Sequence, residues 1–252
     1  TFRLKLDWDA GDKTLVKFLI TQVDLDDPAD IWTIDGSLNT LSDRPGMDSQ
    51  KTNAYGIKVF HQFDGFKFQS FTSVTNTDVV LSYDADWGNS DSHMPYIYDY
   101  FSETLRNRDT FSQELRFVSD SADFSSQNMT EWVVGLSFLD IKEENLKKDD
   151  GIYGDPSDPY SPYVSQSSSS SKFSSDNISI YANIDYLLNA STKISFGARW
   201  EDYESKYSDS FNENFNPSDK MSGGKISLTK NINEQTNIFF NLAKGFNQGG
   251  FN

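Results

Sequence analysis

The chain has 252 residues, no cysteine and two histidines, and its 38 acidic against 22 basic side chains give a formal charge of −16. That charge argues against nucleic acid as a partner, because gripping phosphates takes Lys and Arg. Zero cysteine removes disulfides, thiol catalysis and Cys-based metal sites. No run approaches 18 apolar residues, so no transmembrane helix is encoded. A mean hydropathy of −0.60 still leaves a membrane β-barrel open, since only every second barrel residue meets lipid.

From the N-terminus onward, period-two alternation dominates, which is the signature of strands rather than helices. It predicts ten strands, at about 2–9, 13–25, 51–63, 66–83, 110–119, 130–142, 174–187, 192–206, 221–231 and 236–245. In the seventh, Ile178, Ile180, Ala182, Ile184 and Tyr186 share one face, with Ser179, Tyr181, Asn183 and Asp185 on the other. In the eighth, Ile194, Phe196, Ala198 and Trp200 oppose Lys193, Ser195, Gly197, Arg199 and Glu201. The last two strands put Ile226, Leu228, Ile238, Phe240 and Leu242 on the apolar side. Several of these strands reach the 9–11 residues that a tilted membrane strand needs. The aromatics Trp8, Phe63, Phe66, Trp132, Tyr186, Trp200, Tyr203 and Tyr207 fall near strand ends, where an interfacial girdle would hold them.

Connections alternate in length. Short ones lie at 10–12, 64–65, 188–191 and 232–235, an intermediate one near 120–129, and long polar ones at 26–50, 84–109, 143–173 and 207–220. Tight turns on one side and long loops on the other is the rhythm of outer-membrane barrels. The only plausible helix is Tyr96–Arg108, and the five serines 167–171 read as mobile loop. An open sheet in lipid would leave backbone groups unpaired, so the sheet must close, as ten strands or within a larger barrel. The chain opens inside a strand without an initiator Met or signal peptide and stops after a Gly-rich turn, which reads as an internal piece of a longer protein.

Three segments carry a family resemblance. Phe111-Ser-Gln-Glu-Leu-Arg-Phe-Val-Ser119 with Trp132-Val-Val-Gly-Leu136 resembles the mid-barrel strand pair of TonB-dependent outer-membrane receptors. Tyr181-Ala-Asn-Ile-Asp-Tyr186 leading to Thr192–Glu201 is similar to the next hairpin, and Asn237–Asn252 to the family's A-x-G-F-x-x-G-G-F-N strand and loop. The resemblance implies an all-β antiparallel meander, about ten strands of a larger transmembrane barrel of about 22 strands. It implies a partial barrel domain over 1–252, with the plug domain, signal peptide and remaining strands outside this chain. It further implies a Gram-negative outer-membrane location, and uptake of a scarce ligand, foremost a ferric siderophore. The partners it implies are outer-membrane lipid, that ligand, and TonB, reached through an N-terminal region beyond this chain. A passive porin-like channel and a soluble β-rich glycan-binding protein are the alternatives.

No catalytic residue, metal site or cofactor is expected. His61 and His93 lie in different elements without a nucleophile pattern, and His61 reads as a lumen or interface residue. Glu143-Glu144 and Asp149-Asp150 read as a solvated charge run. Asp24, Asp26, Asp27 and Asp30 are oxygen donors of the kind Ca²⁺ takes but lack the glycine-bearing twelve-residue pattern. Gly245, Gly249 and Gly250 lack the Lys-Ser/Thr of a phosphate loop and suit a bend in the wall. Ligand contact falls instead to the loop aromatics Trp87, Tyr96, Tyr98, Tyr153, Tyr160 and Tyr163, whose flat amphipathic rings suit catecholate, hydroxamate or sugar faces.

Overall fold

The computed structural model describes residues 1–29, 32–120 and 129–247. Its strands are β1 Phe2–Asp9, β2 Thr14–Pro28, β3 Met47–Phe63, β4 Phe66–Asp84, β5 Ile97–Ser119, β6 Thr130–Gly154, β7 Tyr163–Asn189, β8 Thr192–Asp209, β9 Asn214–Phe215, β10 Ser218–Asn233 and β11 Thr236–Lys244. They form one antiparallel meander in chain order, with the two-residue β9 hanging off β8. Among the described residues there is no helix. The sheet stays open, with β1 and β11 as its edges.

The expected meander is present, but the strands outrun the apolar alternation that located them. Tyr96–Arg108 is not a helix; Ile97 starts β5. The acidic pairs at 143–144 and 149–150 are not loop; they lie in the 25-residue β6. Ser167–Ser171 belong to β7, paired with Asn145–Asp149 of β6. Asp24, Asp26 and Asp27 lie in β2, split between its two faces, while Asp30 falls outside the described residues. The cause is common to all: these strand ends are mostly polar on both faces, with apolar residues such as Leu105 and Leu146 too scattered to repeat, so the period-two apolar signal fades while the backbone ladder continues. Cross-strand pairs take over there. Arg108 Nε donates to Glu143 at 2.6 Å, Lys172 to Glu144 at 2.7 Å, and Lys148 to Glu103 at 3.2 Å. The long connections shrink accordingly to 29–46, 85–96, 155–162 and 210–217, all at one end of the meander.

The two faces are sharply different. Ser175, Asn177 and Ser179 are buried, whereas Ile178 and Ile180 between and beside them are 42% and 51% exposed. Crowding on one face and spreading on the other means the sheet curves, with the polar face concave. Direct register links the residues proposed for the apolar face. Ile180 pairs with Trp200 and Ile184 with Phe196; Phe196 pairs with Ile226 and Leu228 with Ile194; Ile226 and Leu228 continue to Leu242 and Phe240. The alternation expected from sequence therefore holds, with two aromatic exceptions: Tyr203 and Tyr207 share the parity of Glu201 and lie on the concave face, Tyr203 at 8% exposure. At the tight-turn end the convex face carries Trp8, Phe63, Phe66, Trp132 and Tyr186, with Phe63 stacked on Phe66 at 4.8 Å. His61 sits at this rim too, its Nδ1 2.7 Å from Thr14 Oγ1.

Followed toward the loop end, each strand's convex face turns from apolar to charged. The apolar band ends at Val74 on β4, Phe111 on β5, Phe138 on β6, Ile178 on β7, Trp200 on β8 and Ile226 on β10; Asn76, Asp109, Asp140, Asp176 and Asp202 come next on the first five, and beyond them apolar residues such as Val80, Leu105 and Leu146 recur only between polar neighbours on the same face. In register this boundary slides. Val74 is level with Phe111, but Phe111 is level with Asp140, and Ile226 is level with Phe196 rather than Trp200. A flat boundary cutting tilted strands gives this drift. A Lys or Arg on the lipid face of a barrel costs about 2–4 kcal/mol at mid-depth, which is reason enough for the band to be clean.

Hydrogen exchange on the full-length protein in bilayers checks the long strands. Amides of 143–150 and 167–171 are expected to be protected to the level of paired strands; loop-like exchange there would restore the sequence expectation.

Candidate ligand-facing wall

The concave face is a wall with two tiers. The upper tier, at the loop end, is built by alternation in β5, β6 and β7. Tyr98 registers with Tyr153, and Tyr153 with Tyr163, so the three tyrosines form one row. Tyr98 meets Tyr153 edge-on at 6.3 Å, Tyr100 at 4.8 Å and His93 at 5.0 Å. Tyr100 lies flat over Gly151: a Cβ there would fall 2.2 Å from its ring, so only glycine leaves room. Tyr163 donates from its hydroxyl to Asp158 at 2.5 Å, and that hydrogen bond holds the Asp158 carboxyl below the usual carboxylate range. Below the tyrosines the wall becomes hydroxyl and charge. Ser102 donates to Asp149 at 2.6 Å, Arg106 to Asn145 at 2.9 Å, and serines 165, 167, 169 and 171 line the β7 side.

The lower tier lies level with the convex apolar band. Tyr181 donates to Glu114 at 2.5 Å, and Arg116 and Glu114 pair at 2.7 Å. Arg199 pairs with Glu201 at 2.7 Å, and Asn177 donates to the same carboxylate at 2.6 Å. Gly135 makes this possible, since a Cβ would stand 2.2 Å from the Tyr181 ring. Hollows of about 920 Å³ and about 840 Å³ flank Arg116.

Of the six aromatics expected to touch ligand, the structure unites Tyr98, Tyr153 and Tyr163, as strand residues rather than loop residues. Trp87 stands apart, in a left-handed backbone conformation (φ 61°), stacked on Trp32 at 5.8 Å. Tyr96 and Tyr160 lie in the connections, exposed, with no ring contact to the tyrosine row among the described residues. Tyr100 and His93 were missed; the spacing Tyr96-x-Tyr98-x-Tyr100 is the strand signal that could have found the first. The connection 29–46 is clamped down by Arg44, which pairs with Asp99 at 3.0 Å and Asp150 at 2.9 Å and lies over the Phe101 ring at 4.7 Å. In the connection 85–96, burial, then neighbouring Asp84, pushes the Asp86 carboxyl above its usual range; Asp86 also accepts from the Tyr100 backbone at 2.7 Å.

A protein-family model for the TonB-dependent receptor-like β-barrel matches residues 7–252. The chain belongs to the TonB-dependent receptor β-barrel family. Solved structures agree on the fold. The siderophore receptor PiuA from Acinetobacter baumannii superposes with a TM-score of 0.66 at 12% identity, over 96% of this chain and 41% of its own. The ferric citrate transporter FecA gives 0.63 at 12%, over 95% and 34%, and the ferric yersiniabactin uptake receptor FyuA from Yersinia pestis 0.58 at 12%, over 95% and 43%. This receptor barrel chain thus spans less than half the length of each. No curated protein sequence matches it. Gly249 and Gly250 of the last resemblance segment fall outside the described residues.

Filling the space over Gly151 tests the upper tier. Gly151→Val displaces Tyr100 and with it Tyr98; overpacking of this kind costs about 1–3 kcal/mol. The thermal midpoint is expected to fall and ligand affinity to weaken, while Ser165→Val on the same wall, which meets no ring, moves affinity less.

Proposed function

We propose that this chain is part of the barrel wall of an outer-membrane receptor that imports a ferric siderophore, or a similarly large scarce ligand, into a Gram-negative cell. The observation carrying the reading is the concave wall of this family-matched barrel: a tyrosine row at the loop mouth above a hydroxyl-lined, ion-paired surface. Tyrosine faces suit catecholate, hydroxamate or sugar rings, and hydroxyls and fixed charges suit the polar shell of a chelate. Selectivity resides in the loop end, with Tyr98, Tyr153 and Tyr163 in contact with ligand and Trp87, Tyr96 and Tyr160 reaching it from the connections. Related structures point the same way, being named as siderophore, ferric citrate and ferric yersiniabactin receptors.

The rest of the receptor follows from physical need. Each unpaired backbone group at the β1 and β11 edges would cost several kcal/mol in lipid, so further strands close the barrel. A barrel of the large transporter class is too wide to fill with its own side chains, so a plug domain occupies the lumen. Energy enters through TonB, engaged by a region N-terminal to this chain. The protein works as a transporter, not an enzyme.

Uptake by cells expressing the full-length receptor, with and without TonB, decides this. A panel of ferric catecholate, hydroxamate and citrate chelates, cobalamin and oligosaccharides should give accumulation of one class that collapses when TonB is deleted. Accumulation unchanged by the deletion would make the barrel a passive channel.

A further inference from the structure

The lower tier of the wall holds a charge imbalance that its own side chains do not relieve. Lys17 of β2 registers directly opposite Lys58 of β3, on the concave face. Like charges directly opposite on neighbouring strands are destabilising. Asp7 answers Lys17 at 2.8 Å. Lys58 has no ion-pair partner among the described residues; its ammonium lies 5.6 Å from the Phe71 ring. That ring already carries the Arg116 guanidinium at 5.0 Å, and Arg116 is spent on Glu114. Lys5, which lines the same hollow of about 840 Å³, is also without an ion-pair partner among the described residues. The hollow therefore gathers four cations, Lys5, Lys17, Lys58 and Arg116, against two carboxylates, Asp7 and Glu114. This happens in a chain of net charge −16, on the concave face level with the apolar band.

We propose that this hollow is an anion site, in which a carboxylate or phosphate group sits between Lys5 and Lys58 with Arg116 behind them. Such a group answers the two unmatched ammonium charges at once and turns the Lys17–Lys58 opposition from repulsive to bridged. The same chemistry can arrive from two sources, an acidic side chain of the domain filling the lumen or an anionic group of a free ligand. The site needs only the concave placement of these lysines and stands whether or not the transport reading holds.

The test is thermal unfolding of the full-length receptor in detergent at low salt, as wild type, Lys58→Gln and Lys58→Arg, with and without citrate or inorganic phosphate as probes. If the anion belongs to the receptor itself, Lys58→Gln lowers the midpoint by about 2–4 °C, Lys58→Arg keeps it, and the probes change nothing. If the anion is free, citrate or phosphate raises the midpoint of wild type and Lys58→Arg but not of Lys58→Gln. Lys5→Gln gives the same ordering at smaller amplitude, which keeps the test sound should Lys58→Gln fold poorly. An empty site behaves oppositely. Removing one of two facing lysines then leaves the midpoint unchanged or raises it, and probes move all variants equally or not at all; either result overturns the proposal.

Discussion

A backbone placed in hydrocarbon must satisfy every N–H and C=O within the protein, because no water is there to do so. The meander of this receptor barrel obeys that constraint by pairing each long strand with its chain neighbours from end to end. Once the ladder is fixed, side chains have only two directions, and the sequence assigns them. Within the band the outward positions are mostly isoleucine, leucine, valine and phenylalanine, with Tyr55 and Tyr186 among them, while serine, asparagine and the charged groups go inward, with Leu19, Phe60, Phe71 and Leu139 among them. The wall's chemistry is thus a by-product of the requirement that the other face be dry.

The same constraint explains why strand length and membrane depth are different quantities. A tilted strand crosses hydrocarbon in about 9–11 residues. β6 has 25 and β7 has 27. The surplus stands clear of lipid on the loop side, where both faces meet water. Ion pairs replace apolar contacts there. Exposed pairs of this kind contribute only about 0–1 kcal/mol each, so the ladder itself, not the charges, carries the extension. That extension lifts the tyrosine row away from the membrane and sets it at the mouth.

What could be read from the residues divides along this line. Wherever one face is dry, as at Ile178–Tyr186 or Ile194–Trp200, alternation gives the strand, its register parity and its orientation. Above the boundary, Lys142–Asp150 holds a single apolar residue, Leu146, and Ser165–Ser171 none, too few to alternate, and their strand state is dictated by neighbours distant in sequence: Ser169 is a strand residue because Lys147 faces it. The candidate site suffered in the same way. Tyr98, Tyr153 and Tyr163 were visible as aromatics in polar surroundings, but their alignment into one row depends on the register of three strands. Tyr203 and Tyr207 show the converse: proximity to a strand end suggested a girdle, and parity with Glu201 placed them inside.

The central claim is that one boundary, slanting across the register from Val74 to Ile226, marks where lipid ends while the strands go on. Nitroxide labels placed singly along β6 of the full-length receptor in bilayers measure it directly. Even positions 134, 136 and 138 should be relaxed by oxygen dissolved in lipid, positions 140–152 by a water-soluble relaxer, and odd positions 133–137 should show no lipid contact. Lipid contact persisting past 140, or equal accessibility at even and odd positions below it, would contradict the account.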